Sequence, residues 1–216
     1  MVFKFFSNLK ITKNLKCKSD AGITLVEIVV VIFITVLFSM LIISDFPTIQ
    51  RRLALSRATY KLAQDLRKTE DFGFSGVTIK YKTGHITVKG YGIFLGPAST
   101  QYLIYADVNG NEIYDGSFFN GLCSEQTDPP QADCPIEIID IREENPSLSI
   151  KKIENIVGVF PISINFMPPN PTINIANAGG SYNDPAGIVI VLGLTTDLSA
   201  ERRILVNSSG LINVLQ

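Results

Sequence analysis

Glu27 is the side chain in this sequence most in need of a chemical reason. It stands within "GITLVEIVVVIFITVLFSMLII", where from Ile23 to Ile43 all the other residues are apolar or carry only a small hydroxyl. A carboxylate held at depth in a bilayer costs about 2 to 3 kcal/mol. It must either reach the interface or meet a positive group. A second group with chemical potential is the pair Cys123 and Cys134, with ten residues between them inside the polar loop "GLCSEQTDPPQADCP". In a non-cytosolic compartment such a pair is expected to form a disulfide. The alternatives are free thiols or a metal site, and the sole histidine, His85, is too far away in sequence to favour metal. A third set is Asp107, Asn109, Asn111 and Asp115 in "DVNGNEIYD", oxygen-bearing side chains at positions 1, 3, 5 and 9 of a calcium-type loop. Position 6 is Glu112 rather than glycine and position 12 is Phe118 rather than glutamate. The simpler reading is an Asn-Gly hairpin turn with Asn109 and Gly110 at its corner, and calcium is the alternative cofactor.

The remaining candidates are weak. His85 has no serine or cysteine partner in local sequence, and Ser208-Ser209-Gly210 reads as a turn with no helix after it. There is no glycine-rich phosphate loop, no His/Cys cluster and no pair of carboxylates on a plausible helix, so no enzymatic site is expected.

The elements that must position these groups follow from hydropathy and charge. Twenty-one residues from Ile23 to Ile43 are long enough to cross about 30 Å of hydrocarbon as a helix. Lys4, Lys10, Lys13, Lys16 and Lys18 precede them, against Asp20 alone, which places the N-terminus in the cytoplasm and residues after Ser44 outside. The run leads into "SDFPTIQRR" rather than a small-residue cleavage site, so it is not expected to be removed as a secretory signal. Residues 72–216 hold eight Lys or Arg against fourteen Asp or Glu, an acidic balance that argues against a phosphate-binding surface.

Beyond Pro47 the helical pattern continues. Leu55, Thr59, Leu62, Ala63 and Leu66 fall on one stripe, while Arg51, Arg52, Arg57, Lys61 and Arg67 fall elsewhere. Pro47 either kinks this helix or begins its second half. After Gly76 the period becomes two: "VTIKYK" and "HITVK", joined by Thr83 and Gly84, predict a hairpin, and "YGIFL", "QYLIYAD", "IEIIDI", "LSIKKI", "PISINFM", "TINIA", "GIVIVLG", "RRILVN" and "LINVL" predict further strands. The fold class is therefore α+β, with a long N-terminal transmembrane and amphipathic helix followed by a mainly antiparallel β-sheet domain. Its expected parts are a cytoplasmic leader (1–22), an apolar helix half (23–44), an amphipathic helix half (45–71) and an exported β domain (72–216).

Glycine, an apolar residue, Thr-Leu-Val and glutamate, opening an apolar helix behind a lysine-rich leader, resemble the prepilin processing site of type IV pilins and pseudopilins. The resemblance covers about residues 16–50. It implies cleavage between Gly22 and Ile23 by a prepilin peptidase, N-methylation of Ile23, and a role for Glu27 in assembly, its carboxylate meeting the new amine of a neighbouring subunit. Ile23 in place of the commoner Phe or Met, and Asp20-Ala21 before the glycine, depart from the usual pattern. The segments "RATYKLAQDLRKTEDFG", "YLIYADVNGNEIYDG" and "RRILVNSSGLINV" are similar to parts of the H-subtype minor pseudopilins.

What the resemblance implies is a structural subunit of a pilus or secretion pseudopilus, resident in the bacterial inner membrane as a precursor, with other pilin subunits and the membrane as partners. Two alternatives stand beside it. One is a nucleic-acid-binding uptake pilin using Lys80, Lys82 and Lys89, disfavoured by the acidic balance of the β domain. The other is a plain signal-anchored β domain acting as a binding module.

Overall fold

The computed structural model describes residues 22–96, 100–116, 121–155, 160–168, 173–177, 180–182 and 187–215. It divides into two compact units, 1–45 and 46–216. A single helix, α1 (Leu25–Ser75), contributes to both and runs through Pro47. The helix thus extends beyond Asp71, and residues 72–75 belong to it rather than to the β region.

Within the first unit the described residues are all solvent-exposed, and between Glu27 and Asp45 they are apolar around the whole helix apart from the hydroxyls of Thr35, Ser39 and Ser44. Such a helix has no polar face to present to water and is long and apolar enough to cross a membrane. Two of its hydroxyls are satisfied by backbone: Thr35 Oγ1 donates to the carbonyl of Ile32 and Ser39 Oγ to that of Thr35, each at 2.8 Å. These two donors, well inside the apolar run, are thereby spared the penalty that hydrocarbon imposes on an open one.

In the second unit the helix becomes two-faced. Ala54, Leu55, Ala58, Thr59, Leu62, Ala63, Leu66, Thr69 and Gly73 are buried, a 3-4 spacing that keeps one stripe against the sheets. Thr59 and Thr69 tolerate burial because each hydroxyl donates at 2.7 Å to a carbonyl one turn earlier. Gly76, at φ +59°, ends the helix in the left-handed conformation usual just past a helix C-terminus.

Among the described residues twelve strands follow: β1 (Thr78–Tyr81), β2 (Gly84–Thr87), β3 (Gly90–Leu95), β4 (Gln101–Asp107), β5 (Cys134–Asp140), β6 (Leu148–Glu154), β7 (Ile162–Phe166), β8 (Ile173–Asn177), β9 (Gly180–Tyr182), β10 (Ile188–Leu194), β11 (Glu201–Val206) and β12 (Ile212–Leu215). They form three antiparallel sheets: β1-β2, β12-β11-β10-β6, and β5-β4-β3-β7-β8-β9. The expected strands are all present, and β9 is additional. The first hairpin turns at Lys82-Thr83, with Gly84 already paired to Tyr81.

One core joins the helix to the two larger sheets. Leu62 and Leu66 pack with Ile93, Leu95, Tyr102, Ile104, Ile164, Phe166, Ile190 and Ile204, all fully or almost fully buried. The fit is close at Gly73, where a Cβ would lie 2.6 Å from the Phe166 carbonyl oxygen, so only glycine lets the helix approach β7 there. Tyr102 carries a polar tip into this core and resolves it by donating to Asp65 at 2.6 Å. Burial first, and that carboxylate second, push the phenol far above its ordinary range.

Candidate functional site

Gly22, Ile23 and Thr24 precede the helix in irregular backbone, and Leu25 is its first residue. Thr24 occupies the N-cap: the Glu27 backbone N–H donates to Thr24 Oγ1 at 3.2 Å, and the Ile28 N–H donates to the Thr24 carbonyl at 3.3 Å. Glu27 therefore sits at the third helical position, in the first turn, where the helix dipole favours a negative charge. The spacing Thr-x-x-Glu is the capping-box signature, a signal that the sequence itself carries. Among the described residues Gly22 has open space around it: a Cβ added there would meet no heavy atom of theirs within 4 Å, and its φ is not in the left-handed region. Ile23 is largely exposed beside it. Of the preceding leader, residues 1–21 lie outside the described residues.

The expected disulfide is present. Cys123 and Cys134 are bonded, with Cα atoms 5.3 Å apart, and both are almost completely buried. Cys123 opens a single 3₁₀ turn, 123–125, and Cys134 begins β5, so the bridge ties a surface loop to a sheet edge.

The segment from Asp107 to Asp115 is not a hairpin corner. β4 ends at Asp107 and pairs with β3 and β5, and no strand returns beside it from Gly110. The loop is instead a ladder of side-chain turns. Asp107 accepts the Gly110 N–H (2.6 Å) on one oxygen, and the Glu112 N–H (3.0 Å) and Asn165 Nδ2 (2.8 Å) on the other. Asn109 Oδ1 accepts from Asn111 N–H and Asn111 Oδ1 from Ile113 N–H, each at 3.0 Å. Both amides turn their Nδ2 to Asp115 Oδ2, at 2.7 and 3.1 Å. Glu112 adopts φ +66°, the left-handed conformation for which a calcium loop uses glycine at that position.

All four candidate calcium ligands thus already accept hydrogen bonds within the protein. Among the described residues, no group of three or more His, Cys, Asp or Glu is placed to hold a metal ion. Phe118, at the twelfth position, lies outside the described residues.

Asp133 is the organiser that the local sequence pattern did not reveal. It accepts the Val108 N–H at 3.0 Å and the Asp115 N–H at 3.2 Å, and its own N–H donates to Asp115 Oδ1 at 3.2 Å. Burial drives its carboxyl up to about 7, the nearby Asp107 and Asp115 charges push the same way, and the two donated N–H groups oppose them.

His85 is exposed and faces Lys80 across the β1–β2 register, while Lys82 and Lys89 are also exposed. Comparison with known protein families, with curated proteins and with solved structures returned no match.

Proposed function

We propose that this chain is a pilin-like subunit, a minor type IV pilin or minor pseudopilin. In this reading the apolar helix holds the precursor in the bacterial inner membrane with residues 1–22 in the cytoplasm. A prepilin peptidase cuts between Gly22 and Ile23 and the Ile23 amine is methylated. The chain then joins other subunits in a pilus or secretion pseudopilus.

The observation that carries this reading is a second apolar stripe on the helix. Phe46, Ile49, Leu53 and Tyr60 fall at 3-4-7 spacing on the side away from the buried stripe, and each is about half exposed. A helix whose one face already serves the β domain has no need of a second apolar face for its own folding. Such a face suits packing against helices of other subunits. Residues 28–43, apolar all round apart from the hydroxyls of Thr35 and Ser39, suit both a bilayer and a helical filament core.

Two features near the N-terminus support the processing step. Nothing among the described residues around Gly22 requires glycine, so its presence is better explained by recognition than by folding. Glu27 lies one turn into the helix from Ile23, where a carboxylate and a newly released amine can pair within or between subunits. A Glu27→Ala variant is expected to be cleaved normally and to enter filaments poorly, measured by immunoblotting of membrane and sheared-filament fractions. Normal incorporation of that variant would remove the assembly role.

A further inference from the structure

The disulfide does not lie in the main core. The cluster uniting the helix and the two larger sheets contains neither cysteine, whereas Cys123 and Cys134 pack with Ile79, Val88, Tyr91 and Ala106 in a separate cluster. Two peripheral segments converge on the loop that the bridge closes.

The first is the β1–β2 hairpin, whose strands, among the described residues, pair only with each other. Its turn is tied to the loop by Lys82 N–H donating to the Gln126 carbonyl at 2.9 Å and Thr83 Oγ1 donating to the Thr127 carbonyl at 2.8 Å. The second is the acidic loop 107–115, pinned by Asp133, the residue immediately before Cys134. An isolated two-stranded hairpin is at best marginal in water, so its order depends on what it is tied to.

We propose that Cys123–Cys134 is a redox-sensitive latch for this outer layer: the bond orders the hairpin and the acidic loop, while the core of helix and two sheets folds without it. An apolar pocket of about 280 Å³, lined by Phe72, Ile79, Tyr91, Cys123 and Ile136, lies beside the bridge, and because both cysteines are almost completely buried a dithiol reductant reaches the Cys123 sulfur only when the outer layer opens locally. The reductant's thiolate attacks the Cys123 sulfur and forms a mixed disulfide, and Cys134 departs as a thiolate that takes up a proton. The reductant's second thiol then closes its own disulfide and releases Cys123 as a thiol. Two electrons and two protons pass to the protein, and the dithiol is oxidised. The outward face of the hairpin carries Lys80 opposite His85, so the bond decides whether that face is presented as a fixed surface. This inference does not depend on the filament reading.

The test is amide hydrogen exchange, read by mass spectrometry, on the full chain in detergent micelles, comparing wild type with a Cys123→Ala/Cys134→Ala variant. Amides in 77–89, 107–115 and 122–133 are expected to exchange about tenfold or more faster in the variant, with helix residues 54–69 and strands β3, β7 and β10 unchanged. Equal exchange throughout would overturn the proposal. So would a general rise or failure to fold, which would make the bridge a support of the whole fold rather than a latch. A Thr83→Val variant with the bond intact is expected to loosen 77–89 alone, and no change there would remove the hairpin from the mechanism.

Discussion

Glu27 and Asp133 are carboxylates whose surroundings make opposite demands. For Glu27, the helix dipole contributes about 0.3 to 1 kcal/mol, short of the roughly 2 to 3 kcal/mol that a carboxylate costs at depth in a bilayer. Local capping therefore explains why a glutamate is tolerated at the third helical position but not why it belongs in a membrane segment. A matching amine would supply the difference. For Asp133, burial beside Asp107 and Asp115 raises the folded-state value to about 7, above its ordinary 3.8. The folded protein then binds this proton more tightly than the unfolded chain, so the stabilisation is fully present below pH 4 and is lost as pH rises through 7. Asp140 acts in the opposite sense: the Arg142 guanidinium lowers it to about 2, and its stabilisation is lost as pH falls from about 4 toward 2. Stability of the β domain should peak in mild acid. The melting temperature is expected to be several degrees lower at pH 8 than at pH 5.5, by calorimetry, and Asp133→Asn should flatten that difference. A wild-type melting temperature that rises over the same range would contradict the assignment.

At the scale of elements, the helix separates two functions by face. Leu62 is fully buried and Leu53 is about half exposed, although both are leucines within three turns of the same helix. Leu62→Ala should destabilise the β domain by about 2 to 5 kcal/mol, measured by urea denaturation. Leu53→Ala should leave that stability within about 0.5 kcal/mol and lower filament incorporation instead. Equal losses of stability from the two variants would mean that the outward stripe belongs to the fold. The inward stripe was legible in the sequence because its period is local, and so were the strands, whose alternation needs only neighbouring residues. The strand β9, "GSY", has no such pattern and could not be read. The acidic loop was misread for a related reason. Asn109-Gly110 carries a strong hairpin signal, but the partners that shape the loop are Asp133, eighteen residues from Asp115, and Asn165, fifty-eight from Asp107. Long-range hydrogen bonds leave no mark on local spacing. The Thr24-x-x-Glu27 cap, by contrast, was legible in the sequence and masked by the more conspicuous puzzle of a charge in an apolar run.

For the molecule as a whole, the chain joins an apolar helix able to span a membrane to an antiparallel β domain with its own core and a disulfide-tied outer layer. Hydroxyls satisfied within the apolar segment and an outward stripe on the amphipathic segment make sense together if one helix serves first a bilayer and then a helical assembly. That sequence of events turns on a single covalent step, release of the Ile23 amine opposite Glu27. The most direct measurement is mass spectrometry of the mature N-terminus after co-expression with a prepilin peptidase. The predicted result is a chain that begins at N-methylated Ile23. A chain that keeps Met1, or is cut anywhere other than between Gly22 and Ile23, would contradict the account.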